Sequence, residues 1–145
     1  MPDMHETILA FDFGLRRIGI AVGQQVTESA GAVGTVSNGE SGPDWRRIES
    51  YLSEWQPARL IVGMPFHADG RRAELANSVD AFIQELQRFN LPIESIDERY
   101  SSIDAEQRLK ASRAAGLRGR ISKESIDSAA AVTIAERWLA TATIS

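Results

Sequence analysis

Two apolar runs open the chain, ETILAFDFG over 6–14 and RRIGIAVG over 16–23, parted only by Leu15. Runs this close, separated by glycine and polar residues, predict the two arms of a β-hairpin, and a third run from about Val26 to Val36 continues it as a meander. In the second arm Ile18, Ile20 and Val22 alternate with Gly19, Ala21 and Gly23. One face of that strand is therefore bulky and the other nearly bare, which lets a helix or another backbone approach closely. SNGESGPD reads as a loop, with Pro43 suited to the first turn of a helix. Trp45, Ile48, Tyr51, Leu52 and Trp55 follow at helical spacing until Pro57.

LIVGMP, beginning at Leu60, is a short continuous apolar run of the kind found in a buried parallel strand. Leu75, Val79, Phe82, Ile83, Leu86 and Phe89 form the stripe of a second helix, closed by Asn90 and Pro92. PIESIDE is a further strand. Ser101 with Asp104 resembles a capping box, so a third helix is expected over about 102–113. A last helix is expected from near Ser122 through Trp138. The order of strands and crossovers predicts a mixed α/β layered domain with five strands, a three-strand meander followed by strand/helix crossovers, and flanking helices. With no internal repeat and no dividing linker, residues 1–145 are expected to form one domain. A chain of this length buries roughly 68–70% of its unfolded surface, enough for a conventional core.

Composition narrows the chemistry. The chain has no cysteine, so disulfides and thiolate metal sites are excluded, and a reducing compartment is suited. No apolar run approaches the ~18 residues of a membrane span, and MPDMHET lacks the basic start of a secretory signal. A soluble, cytoplasmic protein is expected, without a membrane partner. The net charge of −4 argues mildly against nucleic acid. The distribution argues for it, because RLKASRAAGLRGRISK over 108–123 holds six of the sixteen basic residues and no acid. A solvated loop and helix face is the alternative reading of that run.

The acids fall at element ends. Asp12 sits near the end of the first strand, where an unpaired carboxylate would be costly to desolvate. Glu98 follows the last strand, and Asp127 lies in the first turn of the final helix. Ends of adjacent parallel strands with a helix terminus laid over them form a common ligand crevice. Oxygen ligands without His or Cys suit Mg²⁺ or Mn²⁺, and a pair of such ions serves phosphodiester hydrolysis. Each acid also has a plainer reading. Asp12 could close the turn at Gly14, and Asp127 could favour a helix dipole. Alternation leaves open whether Asp97 or Glu98 faces the site, since Ile93 shares parity with the first and Ile96 with the second.

FDFGLRRIGIAVG, LIVGMPFHADG, IDERYSS and IDSAAAVTIAERWL resemble the four ordered motifs of the YqgF (RuvX) family, provisionally pre-16S rRNA nucleases related to Holliday junction resolvases. The resemblance spans nearly the whole chain. It implies an RNase H-like fold, metal-dependent nuclease chemistry, and an acidic triad of Asp12, Glu98 and Asp127. Where the family commonly has threonines after Asp-Glu-Arg, this chain has Tyr100, Ser101 and Ser102, which keep the hydroxyl cap.

Arg16, Arg17 and Arg99 flank these acids, and with Arg113, Arg118, Arg120 and Lys123 they are candidates to grip phosphates beside the scissile bond. Arg99 could equally pair with a core carboxylate. His5 and His67 have no ligand-like spacing, and the tryptophans are expected in the core. The substrate implied is structured RNA, with ribosomal RNA precursor first and branched DNA of the Holliday junction type as the alternative. Two other readings compete: a non-catalytic nucleic-acid binding module, and an actin-like ATPase, for which one domain is too short.

Overall fold

The computed structural model describes residues 6–66, 73–97 and 123–144, the side chains of 123–127 and 142–144 excepted. Strands β1 (Thr7–Phe13), β2 (Arg17–Gln24) and β3 (Ser29–Gly39) form the expected meander. A two-residue β4 (Gly42–Pro43) is followed by α1 (Trp45–Trp55), β5 (Arg59–Met64), α2 (Ala76–Leu86) with a 3₁₀ turn over Gln87–Phe89, and β6 (Ile93–Asp97). The final helix, here α3, runs over Lys123–Ile144. The third helix expected near 102–113 lies outside the described residues.

The sheet order is β4-β3-β2-β1-β5-β6. Strands β1 to β4 pair antiparallel, whereas β1, β5 and β6 run parallel. The sheet therefore has six strands where five are expected. The extra one arises because β3 continues through the polar Ser37 to Gly39, and Asn38 and Gly39 pair with Pro43 and Gly42. Pro43 thus ends a strand instead of entering the helix. Asp44 is the N-cap of α1, its Oδ1 accepting from the Arg47 N–H at 3.2 Å. At the other end β3 starts three residues later than Val26, which lies in the turn.

Alternation in β1 sorts its residues onto two cores. Leu9, Phe11 and Phe13 join Ile18 and Ile20 of β2, Leu60 and Val62 of β5, and the stripes of α1 and α2. Phe82 is the hub there, with the rings of Phe11, Phe13 and Trp45 at 5.2–5.7 Å. On the opposite face Ile8, Ala10 and Ile61 pack on Ile134, Ala135, Trp138 and Leu139 of α3. The bare side of β2 serves this second contact. A Cβ on Gly23 would lie 3.0 Å from Ile8 Cδ1, a tight contact, and 3.4 Å from Leu139 Cδ1 of α3, so the glycine lets Ile8 and α3 close in over this face.

Arg59 ties the far edge together. Its guanidinium donates to both carboxylate oxygens of Glu6 (3.1 and 3.2 Å) and to Glu94 (2.7 Å), and lies 5.8 Å from the Trp138 ring centre. The hydrogen bond to Glu6 is the largest cause holding the Arg59 pKa above its usual value, against partial burial that lowers it. One side chain thus links β5 to the start of β1, to β6 and to α3, all at the sheet edge away from Asp12.

Candidate nucleic-acid and metal site

The three parallel strands end at one edge of the sheet, at Phe13, Met64 and Asp97. Asp12 stands one residue before that edge, half-buried, and shares its face with Ile8 and Ala10, the face that α3 covers. Its partner across the ladder is Gly19, so no side chain stands directly opposite it on β2. The helix begins over the neighbouring row. Ser128 donates its hydroxyl to the Gly34 carbonyl at 3.2 Å, and Gly34 pairs with Ile20, itself the partner of Phe11. Asp127 therefore belongs to the part of α3 that starts beside the Asp12 row. It is the fifth residue of α3, just beyond the first turn in which it is expected, in a helix that begins at Lys123, one residue from the expected start near Ser122.

Glu98, Arg99, Arg113, Arg118 and Arg120 lie outside the described residues, as does His67. Lys123 opens α3. Among the described residues no three His, Asp, Glu or Cys side chains cluster as a metal site. Ile93 packs on the α1/α2 core and Ile96 on the α3 core, so the two faces of β6 are assigned. Asp97 has the parity of Ile93 and pairs with Met64 of the first core. Its carbonyl accepts a 2.6 Å hydrogen bond from Arg137 Nη1, which pins the end of β6 to α3.

The β1–β2 hairpin tip is braced from β3. Asn38, only 5% exposed, donates through Nδ2 to the Gly14 carbonyl at 2.6 Å, and its backbone N–H bonds the Arg16 carbonyl at 2.8 Å. Arg16 is exposed at the tip, and Arg17 is half-buried at the start of β2. Sequence reasoning passed over Asn38 and Arg137. For Asn38 a signal existed, since it continues the parity of the buried Val36; for Arg137 on a distant carbonyl there was none.

Gly14 has no substitute in this tip. A Cβ there would stand 2.5 Å from the Arg17 carbonyl oxygen, a backbone atom that cannot swing aside. Gly14→Ala is expected to destabilise the protein by about 1–3 kcal/mol, the usual range for forced overpacking. Thermal melts check this, and an unchanged Tm would show that the hairpin yields without cost.

A family model described as RuvX, Holliday junction resolvase, matches residues 6–141. The chain belongs to the RuvX family. A relative from Xanthomonas oryzae pv. oryzae, provisionally named a pre-16S rRNA nuclease, is 42% identical over 141 residues, 97% of this chain and 90% of the relative. One of the same name from Xanthomonas campestris pv. campestris is 42% identical over 134 residues, covering 92% and 86%. Among solved structures, T. thermophilus RuvC in complex with a Holliday junction superposes with a TM-score of 0.55 at 17% identity, covering 90% of each chain. The fowlpox virus Holliday junction resolvase gives 0.54 at 12% identity, over 93% of this chain and 98% of its own. These likenesses show the fold of this chain as RNase H-like, in agreement with the resemblance read from its motifs.

Proposed function

We propose that this RuvX-family protein is a divalent-metal-dependent nuclease of the two-metal-ion type that hydrolyses phosphodiester bonds in structured RNA, with the 5′ end of pre-16S rRNA as its substrate. The observation that carries the reading is the half-buried Asp12 at the common end of three parallel strands, with α3 starting over the adjoining row. Asp12, Glu98 and Asp127 are the metal ligands. The motif resemblance assigns the role to Glu98, and Asp97 shares its parity with Ile93 on the α1/α2 core, the face opposite that of Asp12. Carboxylates alone fit a hard ion, Mg²⁺ or Mn²⁺, and the residue directly opposite Asp12 on β2 is a glycine with no side chain to compete for it. Such ions, when bound, supply an activated water and stabilise the leaving oxygen. The protein's own part is to hold three carboxylates in fixed relation and to orient the strand through Arg16, Arg17 and Arg99.

The relatives' names favour RNA, and the family description favours branched DNA, so the test sets them side by side. Purified protein is incubated with a pre-16S rRNA fragment and a four-way DNA junction, in Mn²⁺, Mg²⁺ or chelator. Cleavage of the RNA that stops in chelator is expected. Preference for the junction would make the protein a DNA resolvase, and binding without cleavage in any metal would make it a non-catalytic module.

Arg113, Arg118 and Arg120, with Lys123, contribute binding and not chemistry in this reading. Neutralising the three arginines together is expected to weaken affinity and to reduce the salt slope by up to about 3 counterions' worth. Binding titrations across salt concentrations check it, and an unchanged slope returns the segment to a solvated loop.

A further inference from the structure

Leu15 is 69% exposed at the tip of the β1–β2 hairpin, three residues after Asp12. A lone exposed leucine is ordinary, and Val26, 68% exposed in the turn at the opposite end of the sheet, is such a case among Gln24, Gln25, Thr27 and Glu28. The setting of Leu15 differs in three respects. Asn38 clamps the residues on both sides of it, through the Gly14 and Arg16 carbonyls at 2.6 and 2.8 Å, so its backbone is held rigidly outward. The next residue, Arg16, is an exposed cation suited to a phosphate. Every described aromatic ring, by contrast, packs on one of the two cores.

Apolar side chains, leucine among them, serve nucleic-acid proteins as wedges between base steps. From the rigid, cation-flanked exposure of Leu15 beside Asp12, we propose that Leu15 is a wedge that inserts at a break in base stacking, the junction of paired and unpaired nucleotides, and so selects the bond presented to the acidic site. The inference rests on the nuclease reading above and names the feature of the substrate that the site selects. A break in stacking is common to an RNA helix end and a DNA branch, so the wedge by itself is indifferent to the sugar.

The probe is an RNA hairpin with a single-stranded tail, carrying 2-aminopurine at the first unpaired position, with a continuous RNA duplex as control and the same junction built in DNA. Binding is followed in chelator, where no cleavage competes. The parent is expected to raise the 2-aminopurine fluorescence on a junction of at least one of the two polymers and to bind it about 10-fold more tightly than continuous duplex. Leu15→Ala should lose both effects while keeping the parental Tm and affinity for continuous duplex, and Leu15→Met should restore them. Hydrolysis of bis(p-nitrophenyl) phosphate in Mn²⁺ should be equal in parent and Leu15→Ala, since the wedge holds no metal. Equal fluorescence changes in parent and Leu15→Ala, or none with either polymer, would overturn the wedge. A parent that shows the fluorescence change but hydrolyses nothing in Mn²⁺ would overturn the nuclease reading and leave the wedge standing.

Discussion

Asp12→Asn is expected to lower metal-dependent cleavage by about 10³-fold or more, the scale on which removing one member of a catalytic set acts. The amide keeps the volume and removes the charge that a hard cation requires. The fold should survive, because the ladder at this position is carried by backbone pairing to Gly19 and the two cores are filled by its neighbours Phe11 and Phe13 on one side and Ala10 on the other. Unfolding should change by no more than about 1 kcal/mol. Single-turnover rates beside thermal melts separate the two quantities, and full activity in a folded Asp12→Asn would take Asp12 out of the site. Glu98→Gln should behave alike, whereas Asp97→Asn should remain active, since Asp97 shares its parity with Ile93 and the α1/α2 core. The reverse outcome for that pair would place the other acid at the metal.

The hairpin, the bare face of β2 and the two helical stripes were legible because burial imposes a period on the sequence. Ile18, Ile20 and Val22 against Gly19, Ala21 and Gly23 is a pattern that only a strand between unlike layers explains, and α3 occupies the bare side. The boundaries of β3 were not legible, for a physical reason at each end. Val26 is apolar yet stands in the turn, where nothing in its own chemistry distinguishes it from a strand residue. Asn38 and Gly39 look like loop residues, but Asn38 is buried because its amide satisfies the Gly14 carbonyl 24 positions away. That contact extends β3, creates the short β4 and displaces Pro43 from the helix. In the site, the position of Asp12 could be read because strand ends follow from local pattern. Where Asp127 lies relative to it depends on where α3 crosses the sheet, and that crossing is set by non-local contacts such as Ser128 on Gly34 and Arg137 on Asp97. The motif resemblance supplied the grouping that periodicity could not.

Asp127 offers a test of the grouping that needs no substrate. If it shares a metal site with Asp12 and Glu98, the three carboxylates repel one another while no ion is bound, a cost that functional sites commonly carry. Asp127→Asn should then leave the protein in chelator as stable as the parent or more so. The parent should gain about 2.7 kcal/mol at a Mn²⁺ concentration 100 times the dissociation constant, which for a domain of this size raises Tm by roughly 5–11 °C. The variant should lose most of that gain, because stabilisation by a ligand follows its affinity for the native state. A role at the helix dipole predicts the opposite pair of results, a loss in chelator and an unaltered response to Mn²⁺. That loss would be small, at or below the low end of the usual ~0.3–1 kcal/mol, because Asp127 is the fifth residue of α3 and the dipole acts mainly within the first turn. Melts of parent and variant, each in chelator and in Mn²⁺, decide between them, and a variant with the full metal-induced shift would remove Asp127 from the metal site.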